Sequence, residues 1–430
     1  MKLLSLAYIK DAARSVKRIC EEMFTEAHDS VLTELLGIAA LKVNMYCLRS
    51  EGEEEVLHLR CSHRNDIAVC SRCGTASEGV HEEKERCVRH LDIWGKRTFL
   101  HFYSRRFMCE QCGKPFTESL SFVEKFRRHT AAFERHVYER CRAGCRKKVA
   151  VKEKLSQATV KEILNRFARC IPERSGGLLT RVLGIDEISL KKRHKQFVLV
   201  ISDISSRRVL AVLPDRRKET LEKWFDELTE EQRRAIKFVS IDMWTPYAQA
   251  TRVRLPKARL TVDRFHVMKQ LNERSGQMRR KIQRALPEEK KDMLKGMRWI
   301  LVKNREELSA EEEARLIKLL ALHPELRELY LLKEEFRCIF EKVRSRDKAS
   351  QFLKAWVYKA RMTGDLFLLR FVGTLKNWWN EILNYFIEQV TNGFVEGLNN
   401  SIRNIIRTAF GYRNFENFRL RVFAEHGVPH

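Results

Sequence analysis

Leu183-Gly184-Ile185-Asp186-Glu187 and Val239-Ser240-Ile241-Asp242-Met243-Trp244 are apolar runs that reach an acid. Strands read this way when they carry a carboxylate toward a sheet edge. A third segment, Asn392-Gly393-Phe394-Val395-Glu396-Gly397-Leu398-Asn399-Asn400, sets Glu396 early in a helix. Three carboxylates converging from two strands and a helix can hold two divalent cations, because magnesium prefers hard oxygen ligands.

The sequence around these acids supports that placement. Strands are expected over 181–188, 196–202, 207–213, 237–242 and 258–262, with helices over 218–228 and 245–252. The first three strands, joined by short turns, suit an antiparallel meander; the rest alternates as βαβ units do. Glu187 alternates to the face opposite Asp186. Asp263, after Leu260-Thr261-Val262, also ends an apolar strand and is a ligand or supporting candidate together with His266. On the Glu396 helix, Asn399, Asn400 and Arg403 share a face suited to DNA phosphates. Taken singly, each acid also reads as an ordinary strand-end or helix-start residue.

The chain has 430 residues, 83 Lys and Arg against 57 Asp and Glu, and a formal net charge of +26. A surplus this large, dispersed through globular sequence, points to a polyanion partner, most naturally nucleic acid. Leu3 to Ile9 is apolar but lacks a small-residue cleavage site, and no apolar run approaches the ~18 residues of a membrane span. A reducing, cytoplasmic setting with no membrane partner is therefore expected.

Twelve cysteines are present. Cys70-x-x-Cys73 and Cys109-x-x-Cys112 each precede a glycine, Gly74 and Gly113. That spacing lets a tight turn aim two thiolates at one tetrahedral ion, and two such turns joined by strands describe a structural zinc ribbon. A redox dithiol is the alternative. Cys61, His63, Cys87 and His90 are read as core or surface residues, and Cys141 with Cys145 as packing on one helix face.

Helices are expected over 131–145, 147–154 and 156–169, with Ser156 as an N-cap. Val160, Ile163, Leu164 and Phe167 form one apolar face. Gln157, Thr159, Lys161, Glu162, Asn165, Arg166 and Arg169 then face outward, types able to contact phosphates and base edges in a major groove. A helical connector with a charged face reads equally well, and no glycine marks the turn near Leu155. Upstream, residues 1–30 look helical, and two short strands, 40–48 and 55–60, flank a turn at 50–52. A linker is expected around 171–177. Residues 264–388 read as nearly all helical, with Trp299, Leu301, Leu319 and Leu320 in the helical core, and 391–408 as the last strong helix.

Together these residues resemble the DDE transposases of bacterial insertion sequences, specifically the ISL3 family. The resemblance runs from about Leu32 to about Phe423. It is carried by the 183–187 segment, Asp242-Met243-Trp244-x-Pro246-Tyr247, Val262-Asp263-Arg264-Phe265-His266, and residues 392–400 continuing into Ala409 through Arg419. It implies a multidomain α+β chain. Residues 1–60 would hold an N-terminal helix and short strands, 61–125 the zinc ribbon and 126–172 a helix-turn-helix. A ribonuclease-H-like α/β core over 178–263 and 389–424 would be interrupted by an all-α insertion, 264–388. It implies Asp186, Asp242 and Glu396 as ligands of two magnesium (or manganese) ions, with Asp263, His266, Asn400 and Arg403 in support. It implies DNA as partner: the element's terminal inverted repeats and a target, handled by a homodimer or larger synaptic assembly at the bacterial nucleoid. The first 30 residues extend beyond the family's usual start, and the helix-turn-helix turn is short. A DNA binder without catalysis and a hydrolysing nuclease or resolvase are the competing readings.

Overall fold

The computed structural model describes residues 25–26, 31–175, 179–191, 196–287, 294–388, 393–409 and 411–427. The helix expected over 1–30 therefore lies almost wholly outside the described residues, as do 176–177 of the expected linker and Asn392; residues 171–175 of that linker are instead the last turn of a helix that runs to Ser175. Two compact units are present, residues 1–164 and 165–430.

Unit 1 is built on a six-stranded sheet. β1 (Thr25–Glu26) pairs with β2 (Leu41–Glu51), which forms a hairpin with β3 (Glu54–His63). β3 runs parallel to β7 (Lys96–Met108), and β7 pairs antiparallel with β6 (Val80–Ile93) and β8 (Pro115–Thr117). The hairpin between β6 and β7 turns on Trp94 and Gly95, both at positive φ, a two-residue turn whose twist suits the strands. Leu41, Val43, Leu57, Leu59, Val88, Leu100 and Phe102 bury one face of the sheet. The expected boundary between residues 60 and 61 thus falls inside a strand. β3 crosses it and pairs with β7 beyond it, a long-range register that no local pattern announces. A small second sheet, β4 (Ala68–Val69) with β5 (Ala76–Ser77), carries the first cysteine pair between its strands.

Three helices follow: α2 (Ala131–Ala143), α3 (Arg146–Lys152) and α4 (Gln157–Ser175), after a short α1 (Val31–Leu36). Thr130 caps α2 by accepting from the Phe133 amide, and Ser156 accepts from the Thr159 amide at the start of α4. Cys145 is the N-cap residue of α3, so it does not share a helix face with Cys141 as the sequence suggested. The turn before α4 needs no glycine, because Lys154 itself takes the left-handed conformation at φ 52°. There the Leu155 amide donates to the Ala150 carbonyl at 2.9 Å, closing α3.

Unit 2 holds a five-stranded sheet in the order β11-β10-β9-β12-β13. β9 (Val182–Lys191), β10 (Gln196–Asp203) and β11 (Arg208–Leu213) form the antiparallel meander. β12 (Phe238–Ile241) and β13 (Arg259–Val262) join it in parallel. Their connections are helical, α5 (Lys218–Glu227) with α6 (Glu230–Ala235) and then α7 (Thr245–Arg254). α6 was not expected; Thr229 and Gln232 start it with a reciprocal capping box.

Each face of this sheet is covered. Leu183, Ile185, Leu199 and Ile201 pack into a core with α5, α7 and a bundle of helices. That bundle runs through α8 (Arg264–Ala285), α9 (Met297–Val302), α10 (Ala310–Leu322), α11 (Pro324–Lys342), α12 (Arg346–Met362), α13 (Leu366–Asn377) and α14 (Trp379–Glu388). Leu301 and Leu319 are buried in it and Leu320 packs against it, but Trp299 is 65% exposed, so it is not the core residue its periodicity suggested. Arg298 lies over the Trp299 ring instead. On the other face, Ile188, Leu190, Val198 and Val200 pack against α15 (Gly393–Thr408) and α16 (Phe415–His426). α16 is a further helix beyond the last one expected. No described helix is long and apolar enough to cross a membrane.

Candidate functional site

The four thiols of the cysteine pairs meet. Cys70, Cys73, Cys109 and Cys112 place their sulfurs within 4.8 Å of one another, the only such grouping of three or more ligating side chains among the described residues. Tetrahedral zinc at ~2.3 Å from each sulfur needs S···S separations of about 3.8 Å, and Cys73 and Cys109 already stand 3.5 Å apart. The two turns are alike. The Gly74 amide donates to the Cys70 carbonyl at 2.9 Å and the Gly113 amide to Cys109 at 2.8 Å, with φ of 75° and 64° at the two glycines. Thr75 lowers the Cys73 thiol to about 6 by hydrogen bonding, whereas Cys73 pushes Cys112 up to about 12. Neighbouring sulfurs sharing one charge is the state a dication relieves. With all four ligands from protein, the site suits a structural zinc.

The acids of unit 2 are set by sheet register. Ile241 of β12 pairs with Ile185 of β9 on one side and Val262 of β13 on the other. The next residue along each of these three strands is an acid: Asp242, Asp186 and Asp263. Asp186 points to the face that carries α15, as its buried neighbours Ile188 and Leu190 do. Its Oδ1 accepts from the Glu187 amide at 2.7 Å and its Oδ2 from the Asn399 amide group. Burial raises the Asp186 pKa, with Asp242 adding to the effect, while His266 and the two hydrogen bonds oppose it.

His266, on the first turn of α8, sits between two further carboxylates. Its Nε2 lies 3.7 Å from Asp242 Oδ2 and its Nδ1 3.3 Å from Asp263 Oδ2. Burial pushes its pKa down, yet Asp263, Asp242 and Asp186 outweigh that and raise it. Asp263 also caps α8 by accepting from the Phe265 amide at 3.0 Å. Asp242 Oδ1 accepts from the Met243 amide at 2.5 Å.

Glu396 is exposed on the first turn of α15, one turn before Asn399. It lines a cavity of about 300 Å³ that Asp263 and Phe265 also line. Gly184 lets α15 come this close to β9: a Cβ there would lie 2.8 Å from Val395 Cγ2 and 2.9 Å from Ser202 Oγ. Glu187 faces the other way and meets Arg216 at 3.3 Å. Arg216 in turn lies over the rings of Phe197 and Trp244.

Asn399 does not face solvent as expected. It is buried and holds Asp186, and its Oδ1 has no hydrogen-bond partner. Asn400 and Arg403 remain on the surface and bond to each other at 2.9 Å. Sequence reading missed the roles of Asn399 and Gly184. Their spacing to Glu396 and Asp186 was visible, but their burial depends on helix against sheet.

The outward set on α4 is divided. Gln157, Lys161, Glu162 and Arg169 are exposed, and Thr159, Asn165 and Arg166 partly so. Glu162 is paired with Arg127 and Thr159 with Ser156, while Asn165 bonds to Asn417 at 3.4 Å.

Comparison with known proteins matches two segments of the chain to known families. A family model described as a transposase of the ISL3 type matches residues 183–422, and one for the zinc finger of transposases IS204/IS1001/IS1096/IS1165 matches 67–112. The chain is 31% identical over 361 residues to the transposase for insertion sequence element IS1001 of Bordetella parapertussis, covering 83% of this chain and 88% of that one. It is 29% identical over 371 residues to the transposase for element IS1557 of Mycobacterium tuberculosis, covering 80% and 82%. With its ribbon cysteines and its strand acids inside the matched segments, the chain belongs to the ISL3 family of insertion-sequence transposases.

Proposed function

We propose that this transposase binds the terminal inverted repeats of its element, hydrolyses the phosphodiester at each end and joins the freed 3′-hydroxyl to target DNA. The observation that carries this reading is the register that puts Asp186, Asp242 and Asp263 at adjacent positions on three neighbouring strands, with α15 setting Asn399 on Asp186 and Glu396 in the cavity that Asp263 lines. The donor set fits hard divalent cations: all carboxylate oxygens, several already oriented by backbone or amide donors. Asp186, Asp242 and Glu396 are the proposed ligands. Magnesium or manganese, when bound, supplies charge neutralisation at the phosphate and acidifies water.

The chain's own groups do the positioning. Asn399 and the Glu187 amide fix the Asp186 carboxylate, the Met243 amide fixes Asp242, and His266 balances charge between Asp242 and Asp263. Water is the nucleophile in the first step, and the 3′-hydroxyl in the second. The β9–β13 sheet with α15 and α16 is read as a ribonuclease-H-like core, with the helices between residues 264 and 388 as its insertion. Helices α2 to α4 are read as a helix-turn-helix whose α4 presents Gln157, Lys161 and Arg166 to DNA. Pairing two ends calls for a dimer or larger assembly.

The test is alanine replacement of each acid in turn, with magnesium-dependent cleavage and end binding measured on the same preparations. Asp186→Ala, Asp242→Ala and Glu396→Ala are expected to lower cleavage by at least ~10³-fold with binding kept. An active Glu396→Ala beside a dead Asp263→Ala would move the third ligand to Asp263. Cleavage without joining of a pre-cut 3′-end would favour a hydrolysing nuclease instead.

A further inference from the structure

Phe126, in the loop that follows the zinc ribbon, is 87% exposed and holds its backbone at φ 65°. Both properties are costly. A bulky residue in the left-handed region is strained, and a phenyl ring in water gains nothing from burial. Strain of this kind persists where surrounding structure enforces it, and it clusters at ligand-contacting positions. Here the enforcement is visible. Arg86 donates to the carbonyls of Glu124 and Arg127, at 3.2 and 2.6 Å, clamping the backbone on both sides of the ring. The Arg127 amide donates to the Glu124 carbonyl at 3.1 Å, closing the turn over Lys125 and Phe126.

The ring stands at one end of a groove of about 940 Å³ that reaches back to the Cys70-Ser71-Arg72-Cys73 knuckle. Six cations line it, Arg72, Lys84, Arg86, Arg105, Arg106 and Lys125, against three carboxylates, Glu82, Glu118 and Glu124, of which Glu118 pairs with Arg105 and Glu82 with Arg106. Lys125 lies over the Phe126 ring, its ammonium 5.1 Å from the centroid. A concave surface with surplus cations and a rigidly presented ring matches a polyanion bearing stackable bases. Pro115, Phe116, Leu120 and Val123 also line the groove, but its surplus of cations over carboxylates favours a polyanion over an apolar protein segment.

We propose that the groove seats the DNA end on unit 1, with Arg72, Lys84 and Lys125 on phosphates and Phe126 wedged into a base step. This deepens the reading that the chain binds the ends of its element and rests on it. It adds a contact surface separate from the outward face of α4. A wedge partially unstacks its step, and the resulting bend lets the duplex follow the groove.

The experiment uses the full chain and a duplex carrying the element's terminal inverted repeat, with 2-aminopurine scanned along it. Wild-type protein is expected to brighten 2-aminopurine at one step. Phe126→Asn tolerates positive φ better than phenylalanine, so it is expected to melt at or above the wild-type temperature. It should nonetheless bind the end at least ~10-fold more weakly, as loss of one stacking contact predicts, with the fluorescence change gone. Phe126→Trp should restore both. Arg72→Ala, Lys84→Ala and Lys125→Ala should each reduce the slope of log affinity against log salt by about 1, which the Phe126 variants should leave unchanged. Wild-type affinity and brightening in Phe126→Asn would overturn the wedge, as would a change in oligomeric state without a change in DNA affinity. Failure of wild-type protein to prefer the end over random duplex would instead overturn the function proposed above.

Discussion

A single missing methyl group sets how near α15 approaches β9. At Gly184 a Cβ would meet Val395, Ser202 and Ile204 at 2.8 to 3.2 Å, all of them held inside the unit. Gly184→Ala should therefore destabilise unit 2 by about 1–3 kcal/mol and shift the first turn of α15, lowering cleavage more than binding. Thermal melting and cleavage assays on one preparation check this; an unaltered melt would show that α15 yields without cost. Asn399 acts at the same scale. Its side chain orients Asp186, so Asn399→Ala should cost roughly 10–100-fold in cleavage or in the magnesium concentration needed, with end binding intact. Asn399→Asp would add a like charge beside Asp186 and should be worse than alanine. These two residues were visible in the sequence only as neighbours of acids. Asp186, Asp242 and Asp263 were legible because apolar runs leading to acids are a local signal. The partner that buries Asn399 lies 213 positions away, and no local pattern carries it.

Among elements, the turns were the least legible and the strands the most. The five strands of unit 2 were readable from their apolar runs, and the meander from its short connections. The helical turn at Lys154 was not, since glycine is the usual occupant of such a position. Lys154→Gly should relieve the left-handed strain and alter stability by no more than ~1 kcal/mol, the relief being opposed by added freedom in the unfolded chain. A loss above that, read by denaturant unfolding, would mean that its ion pair with Glu54 carries the turn instead. The ribbon is held by its cysteines rather than by a large core: Ala68, Phe107 and Phe116 are its main apolar residues. Zinc removal by chelation, or Cys109→Ser, should therefore unfold the β4–β5 knuckle and raise hydrogen exchange there while the β9–β13 sheet stays protected. Protection of residues 68–77 after chelation would show that the thiols alone suffice. The ribbon was fully readable at the level of its ligands. Its seat on a sheet shared with β2 and β3 was not, because parallel pairing of β3 with β7 joins residues about forty apart.

For the whole molecule, pH acts unevenly. In unit 1 burial lowers the pKa of His58 to about 4, and those of His90, His101 and His129 are lowered by the same cause. The folded unit keeps these rings neutral where the unfolded chain would protonate them. Below the ordinary histidine value of about 6.5 the unfolded state binds more protons, so unit 1 loses stability as pH falls from there toward 4. Scanning calorimetry from pH 7 to pH 4.5, with zinc in excess, should show the transition of unit 1 moving to lower temperature before that of unit 2. Replacing His58 by phenylalanine should reduce the shift; equal shifts for both units would contradict the assignment. The net charge of +26 was legible at once and indicated a polyanion, but it named neither groove nor face.

The arrangement of α15 has a further consequence for synthesis on the ribosome. Asp186, Asp242 and Asp263 emerge well before Glu396, and the helix bearing it seats on β9 only after all the helices of the bundle have been translated. On the function proposed above, a growing polypeptide would acquire its zinc knuckle and its proposed DNA-binding surface early and the proposed third metal ligand late. Products arrested before residue 393 would be expected to occupy ends without cleaving them, turning incomplete translation into a brake on the element itself.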